Sequence, residues 1–136
     1  MKDNQEALSF EPPALLIERF CQEHEVKQAD AKERFEETKK FLFLCAINKD
    51  RKYSPSQEVD LMWHHFMLHS RTYFDFCASL GVLFLHHEPS DKPEREAYQQ
   101  TLKDMRDLYG RLNITYWADD GASAGHCGSH CSSCGN

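Results

Sequence analysis

Four side chains able to bind protons or metal ions crowd one short stretch: Asp60, His64, His65 and His69. At a helix's ~100° per residue, Asp60 and His64 stand about 40° apart and one turn removed, on one face. Trp63, Met67 and Leu68 flank that face. A carboxylate held away from water there must be paired, protonated or bound to a cation. An imidazole one turn away can be its hydrogen-bond partner, or both can hold one metal ion. His65 and His69 form a second and weaker i,i+4 pair. His86 and His87 follow an apolar run over 82–85 and precede Glu88-Pro89. If that segment is extended, the two rings point to opposite sides, and only one joins Asp60 and His64. We expect His87 in that place, with His86 the alternative. Two histidines and an aspartate make a facial set with open positions, suited to zinc first and iron second.

Trp63 is expected to pack beside such a site. Tyr73 and Cys77, an i,i+4 pair on the next helical segment, would offer a hydrogen bond or a further ligand. As a thiolate Cys77 favours zinc; as a thiol it is packing. The competing reading is structural: an Asp-His pair often fixes a helix to its neighbour through one charge-assisted hydrogen bond.

The chain ends in a second cluster, His126, Cys127, His130, Cys131 and Cys134. Its Cys-x3-Cys-x2-Cys spacing is that of radical S-adenosylmethionine enzymes, but those set it in a barrel of more than about 200 residues. This chain has 136 residues. Thiolates and imidazoles so close together still suit zinc, copper(I) or an iron–sulfur cluster, and the Gly and Ser between them let the chain wrap an ion.

The elements that must position these groups are helical. Pro12-Pro13 opens a segment whose Leu15, Leu16, Phe20 and Cys21 recur at helical spacing. Over 31–47 the stripe Phe35, Thr38, Leu42, Cys45 widens at Phe41 and Phe43, giving a helix amphipathic at its start and buried at its end. Ser54 as cap, Pro55 at the first position and Gln57 as capping-box acceptor open a helix reaching His69. A further helix runs over 71–80 and is closed by Gly81. Periodicity leaves 82–85 undecided between strand and helical turn. Ser90 or Asp91 caps a helix over 93–109, ended by Gly110, and the segment 114–117 docks back on the bundle. The whole reads as all-α, a compact bundle of about five helices. A flexible N-terminus (1–10) precedes the helical domain (11–118), and a Cys/His/Gly-rich tail (119–136) follows it without large apolar residues to bury.

Sixteen basic against 22 acidic residues leave a formal charge of −6. That balance argues against a sequence-independent grip on nucleic acid or an anionic membrane. No apolar run approaches a membrane span of roughly 18 residues. The polar first residues lack a signal pattern, so the expected compartment is the cytoplasm. Cys21, Cys45 and Cys77 are expected as small buried hydrophobes. Lys39-Lys40 and the basic residues of 49–52 are expected as solvated patches.

The elements Val59-Asp60-Leu61-Met62-Trp63-His64-His65 and Phe84-Leu85-His86-His87-Glu88-Pro89, with Tyr73, Phe76-Cys77 and Gly81 between them, resemble the glycine-rich domain-containing protein-like family. Residues 37–42, 98–102, Tyr109-Gly110 and Trp117 extend the resemblance over about 31–117, toward the short bacterial type. It implies a shared domain and no established reaction. The expected function is a small helical protein holding a divalent transition metal on Asp60, His64 and His87, with a soft-ligand tail that also offers a surface to a protein partner. The alternatives are a metal-dependent enzyme on a small substrate and an interaction module in which the Asp-His pair is structural.

Overall fold

In the computed structural model, residues 4–89, 94–119 and 129–134 are described. They form α1 (Asn4–Leu8), α2 (Ala14–His24), α3 (Gln28–Ile47), α4 (Gln57–Leu68), α5 (Ser70–Ser79), β1 (Phe84–Pro89), α6 (Arg95–Tyr109) and β2 (Ser129–Cys134). Helix α3, about 30 Å long at 1.5 Å per residue, is the axis against which α1, α2, α4, α6 and both strands pack. Its first half buries one stripe, Ala31, Phe35 and Thr38, and its last turns, 41–46, are buried throughout. That is the pattern expected of a helix entering the middle of a bundle.

The mostly helical class agrees with the sequence, and local capping chemistry corrects some boundaries. Ser56, not Ser54, caps α4, its hydroxyl accepting from the Val59 amide at 3.2 Å. Ser54 is buried, and its amide donates to Thr101 Oγ1 of α6 at 3.0 Å. Gly81 closes α5 with φ +80° and Gly110 closes α6 with φ +86°, left-handed positions that glycine fills without a Cβ clash. Helix α6 starts at Arg95, with Glu94 at the cap and no side-chain cap bond. The caps expected at Ser90 and Asp91 lie outside the described residues.

Residues 4–8 of the N-terminal stretch form α1. Helix α1 buries Ala7, and the Lys39 ammonium, 1% exposed, donates to the carbonyls of Leu8 (2.7 Å) and Phe10 (2.6 Å). Lys39 is therefore no solvated patch. A buried ammonium must fill its donors, and α1 with the turn after it provides the acceptors, aided by Glu36 at 2.9 Å. Arg51 and Lys52 are paired as well, with Asp104 and Glu94.

The segment 114–117 docks through Tyr116 and Trp117, while Ile114 stays 80% exposed. The Trp117 indole donates to Glu37 Oε1 at 2.9 Å, and the Tyr98 hydroxyl reaches the Ala118 carbonyl at 2.7 Å.

Of the undecided run 82–85, Phe84 and Leu85 enter a strand, while Val82 and Leu83 form the bend before it. β1 pairs antiparallel with β2, with Phe84 opposite Cys134, Leu85 opposite Ser133, His86 opposite Ser132, His87 opposite Cys131 and Glu88 opposite His130. The tail was judged by its lack of apolar residues to bury. Main-chain pairing to an edge strand needs none, and residues 129–134 meet β1 in that way. Among the described residues no helix is long and apolar enough to cross a membrane.

Candidate functional site

The site begins with two residues from different elements. Asp60 lies in the first turn of α4 and His87 in the middle of β1, and His87 Nε2 stands 2.6 Å from Asp60 Oδ1. The two side chains are 15% and 14% exposed, sheltered but within reach of solvent. The alternation of β1 sends Leu85 and His87 inward and His86 outward. His86 is exposed, its ring 5.0 Å from that of Phe84, and it takes no part in the pair.

What holds β1 in this phase is a chain of hydrogen bonds beneath it. The Trp63 indole donates to the Tyr73 hydroxyl at 2.9 Å, and Tyr73 in turn donates to the Leu85 carbonyl at 2.5 Å. Trp63, Tyr73 and Leu85 are fully buried. The ring of Trp63 meets His87 edge-on, with centroids 4.5 Å apart, and packs its other side against Phe41 of α3. Three helices thus fix the ring position of one histidine. Burial pushes the Tyr73 hydroxyl well above the usual phenol range, so it stays a donor. Burial also pushes the Cys77 thiol up, partly offset by the Leu85 amide. Cys77 is therefore a packed thiol rather than a ready ligand.

His64 is exposed on α4, its ring centroid 5.9 Å from that of His87. It stands at the rim of the pair, not in the hydrogen bond. His65 points the other way, with Nε2 2.8 Å from the Leu16 carbonyl and its ring against Phe20. It ties α4 to α2. His69 packs beside it at 5.0 Å; burial first, then the charges of His65 and Arg19, lower its pKa. Among the described residues no three His, Cys, Asp or Glu side chains form a group able to hold a metal ion. Of the tail residues, His126 and Cys127 lie outside the described residues, while His130, Cys131 and Cys134 take their places in β2.

The 2.6 Å contact across the pair is shorter than the spacing of two atoms bound to one ion. Zinc bonds of about 2.0–2.1 Å at tetrahedral angles put two ligand atoms about 3.3 Å apart. Cavities elsewhere are lined by other groups, one of about 360 Å³ by Glu11, Ile17, Lys32 and Glu36, another by Arg51, Gln100 and Lys103. Neither includes Asp60 or His87.

A buried polar cluster that the sequence reading missed lies on α6. Asp104 is 5% exposed and accepts from Tyr53 and Arg51, both at 2.5 Å, and from Gln100 at 2.9 Å. Desolvation opposes its charge, but these donors outweigh it and hold the carboxyl below its ordinary range. Tyr53 is pushed up to about 12, by burial first and then by Asp104. The signal was available: Asp104 follows Ala97 by seven residues and Thr101 by three, on the buried stripe of α6.

A family model described as UCP032817-like matches residues 4–111. No curated protein and no solved structure matches the chain. The resemblance to a glycine-rich domain-containing protein-like family does not hold: the matching family is another one, and its model spans both short elements on which the resemblance rested. Those elements, around Trp63-His64 and His86-His87, serve here to seat β1 on α4 and α5, and such short packing motifs are weak markers of kinship.

Proposed function

The chain belongs to the UCP032817-like family, and from that premise we propose that it binds a divalent transition metal, with zinc the first candidate and iron the second. Asp60 and His87 are the first two ligands, and His64 closes from the rim. The observation that carries the reading is the contact itself: a carboxylate and an imidazole, each about 15% exposed, with Nε2 and Oδ1 at 2.6 Å. His87 is oriented by the buried Trp63 ring beside it, as metal ligands are by their neighbours. The cytoplasm is the proposed setting.

One observation favours a second reading. The same 2.6 Å contact is a complete hydrogen bond, and as such it clamps β1 to α4 without any ion. The two readings part at Asp60→Asn, which keeps a hydrogen bond to His87 and removes the anionic ligand. The test is zinc content and zinc affinity of the purified full chain, of Asp60→Asn and of His87→Gln, each checked by thermal melting. The metal reading expects a folded Asp60→Asn protein whose zinc affinity falls at least about tenfold. Equal zinc binding by all three proteins overturns it and leaves the clamp.

A further inference from the structure

Two adjoining cavities lie along the exposed face of α6, apart from Asp60 and His87. The first, of about 560 Å³, is lined by Arg51, Lys52, Glu96, Ala97, Gln100 and Lys103. The second, of about 430 Å³, shares Glu96, Gln100 and Lys103 and reaches Arg95 and Gln99. Both fall in the range of roughly 300–1,000 Å³ usual for small-molecule sites. The chain carries a formal charge of −6, yet the wall of the first cavity has three cations and one carboxylate. That local reversal of sign favours an anion. One of the cations is also held from behind. Asp104, 5% exposed, accepts from Arg51 Nη1 at 2.5 Å through Oδ2 and from Gln100 Nε2 at 2.9 Å through Oδ1, and the Tyr53 hydroxyl donates to the same Oδ2. A buried carboxylate thus fixes two side chains of the cavity wall at once, as supporting groups fix those that meet a ligand. The Arg51 side chain is itself 56% exposed, and its fork of donors exceeds what one carboxylate oxygen can take. Lys52 and Lys103 pair with Glu94 and Asp107, and both lysines are more than half exposed. Exposed pairs of this kind are weak and open to a stronger anion.

We propose that this groove binds a phosphate monoester of a small hydroxyl-bearing molecule. The phosphate meets Arg51, Lys52 and Lys103, a planar guanidinium with two ammonium groups, which is the donor set a doubly charged oxyanion takes. The hydroxyls meet Glu96, Gln99 and Gln100, whose amides donate and accept and whose carboxylate accepts. Glu96 decides the class of ligand. It repels a bare polyanion, whereas the hydroxyl of a sugar or polyol donates to it. Asp104 is a positioning residue that acts through Arg51 and Gln100. The inference stands apart from the metal reading, since the two sites share no residue.

The full chain is titrated calorimetrically with ribose 5-phosphate, inorganic phosphate and ribose, at a temperature where circular dichroism shows every variant folded. Ribose 5-phosphate should bind at least about tenfold more tightly than either of its parts. Arg51→Gln should weaken it about tenfold or more, and Lys103→Gln, at an exposed position, about threefold. Arg111→Gln, an exposed cation beyond the end of α6, should leave it unchanged. Asp104→Asn removes a negative charge beside Arg51, so charge alone would tighten the binding of an anion; loss of positioning weakens it, and weakening is the expected result. No binding of ribose 5-phosphate at about 10 mM overturns the proposal. So does equal affinity for inorganic phosphate, which leaves the hydroxyls no role, and so does equal weakening by Arg111→Gln and Lys103→Gln, which marks a response to overall charge. Tighter binding by Asp104→Asn overturns its positioning role.

Discussion

His87 of β1 and Asp60 of α4 meet at 2.6 Å although twenty-seven residues of chain separate them. Neither residue sets that distance. It follows from Tyr73, whose hydroxyl accepts from Trp63 and donates to the Leu85 carbonyl, so that the strand is fastened two residues before His87.

Tyr73→Phe keeps the ring and removes the link. The Trp63 indole loses its acceptor and the Leu85 carbonyl its donor, both in a buried setting. A loss of about 1–3 kcal/mol is expected in urea unfolding. Amide exchange across 84–89 should quicken more than across α3. Uniform quickening would show that the hydroxyl does not seat the strand.

Lys39→Met should release α1 while preserving the bulk of the core. The carbonyls of Leu8 and Phe10 lose their shared donor. Limited proteolysis should then cut near residues 8–13 at protease levels that leave the wild type whole. Unchanged resistance would mean that α1 is held by Ala7 packing alone.

Stability on the acid side should depend on Asp104. Its carboxyl titrates below its ordinary value in the folded chain, so the folded state binds fewer protons there than the unfolded one. The stabilisation is complete above the ordinary carboxylate pKa and fades as pH falls through the lower folded value. Asp104→Asn should therefore be less stable at neutral pH and show a flatter stability profile below about pH 4. Parallel profiles for the two proteins would remove Asp104 from the account.

Ser56→Ala tests where α4 begins. Loss of the bond to the Val59 amide is expected to cost about 1 kcal/mol. Because Asp60 sits in that first turn, fraying there should also loosen its contact with His87. A change within about 0.5 kcal/mol would move the cap elsewhere.

Much of this architecture was readable from residue spacing. The stripes of α3 and α6 and the stop at Gly81 follow from helical periods, whereas spacing put His64, and not His87, within hydrogen-bond reach of Asp60. The choice of His87 over His86 did not follow from spacing, since it depends on the phase of β1, which Tyr73 sets from another helix. Nor did the docking of α1, which is fixed by a lysine 31 residues away from Leu8. Lys39 stands four residues after Phe35 and three before Leu42, on the apolar stripe, and that placement was the overlooked sign. Cys45 looked like core because it is core, and hydrophobic patterning does not register that it is disulfide-bonded.

The central claim concerns one nitrogen atom, and imidazole nitrogen NMR observes it directly. Zinc is titrated into the reduced full chain while the Nε2 resonances of all eight histidines are followed. The account predicts that His87 Nε2 moves to the metal-bound range with the first equivalent, accompanied by His64, and that Asp60→Asn abolishes the response. A titration in which His126 and His130 shift while His87 keeps its hydrogen-bonded signal would contradict it.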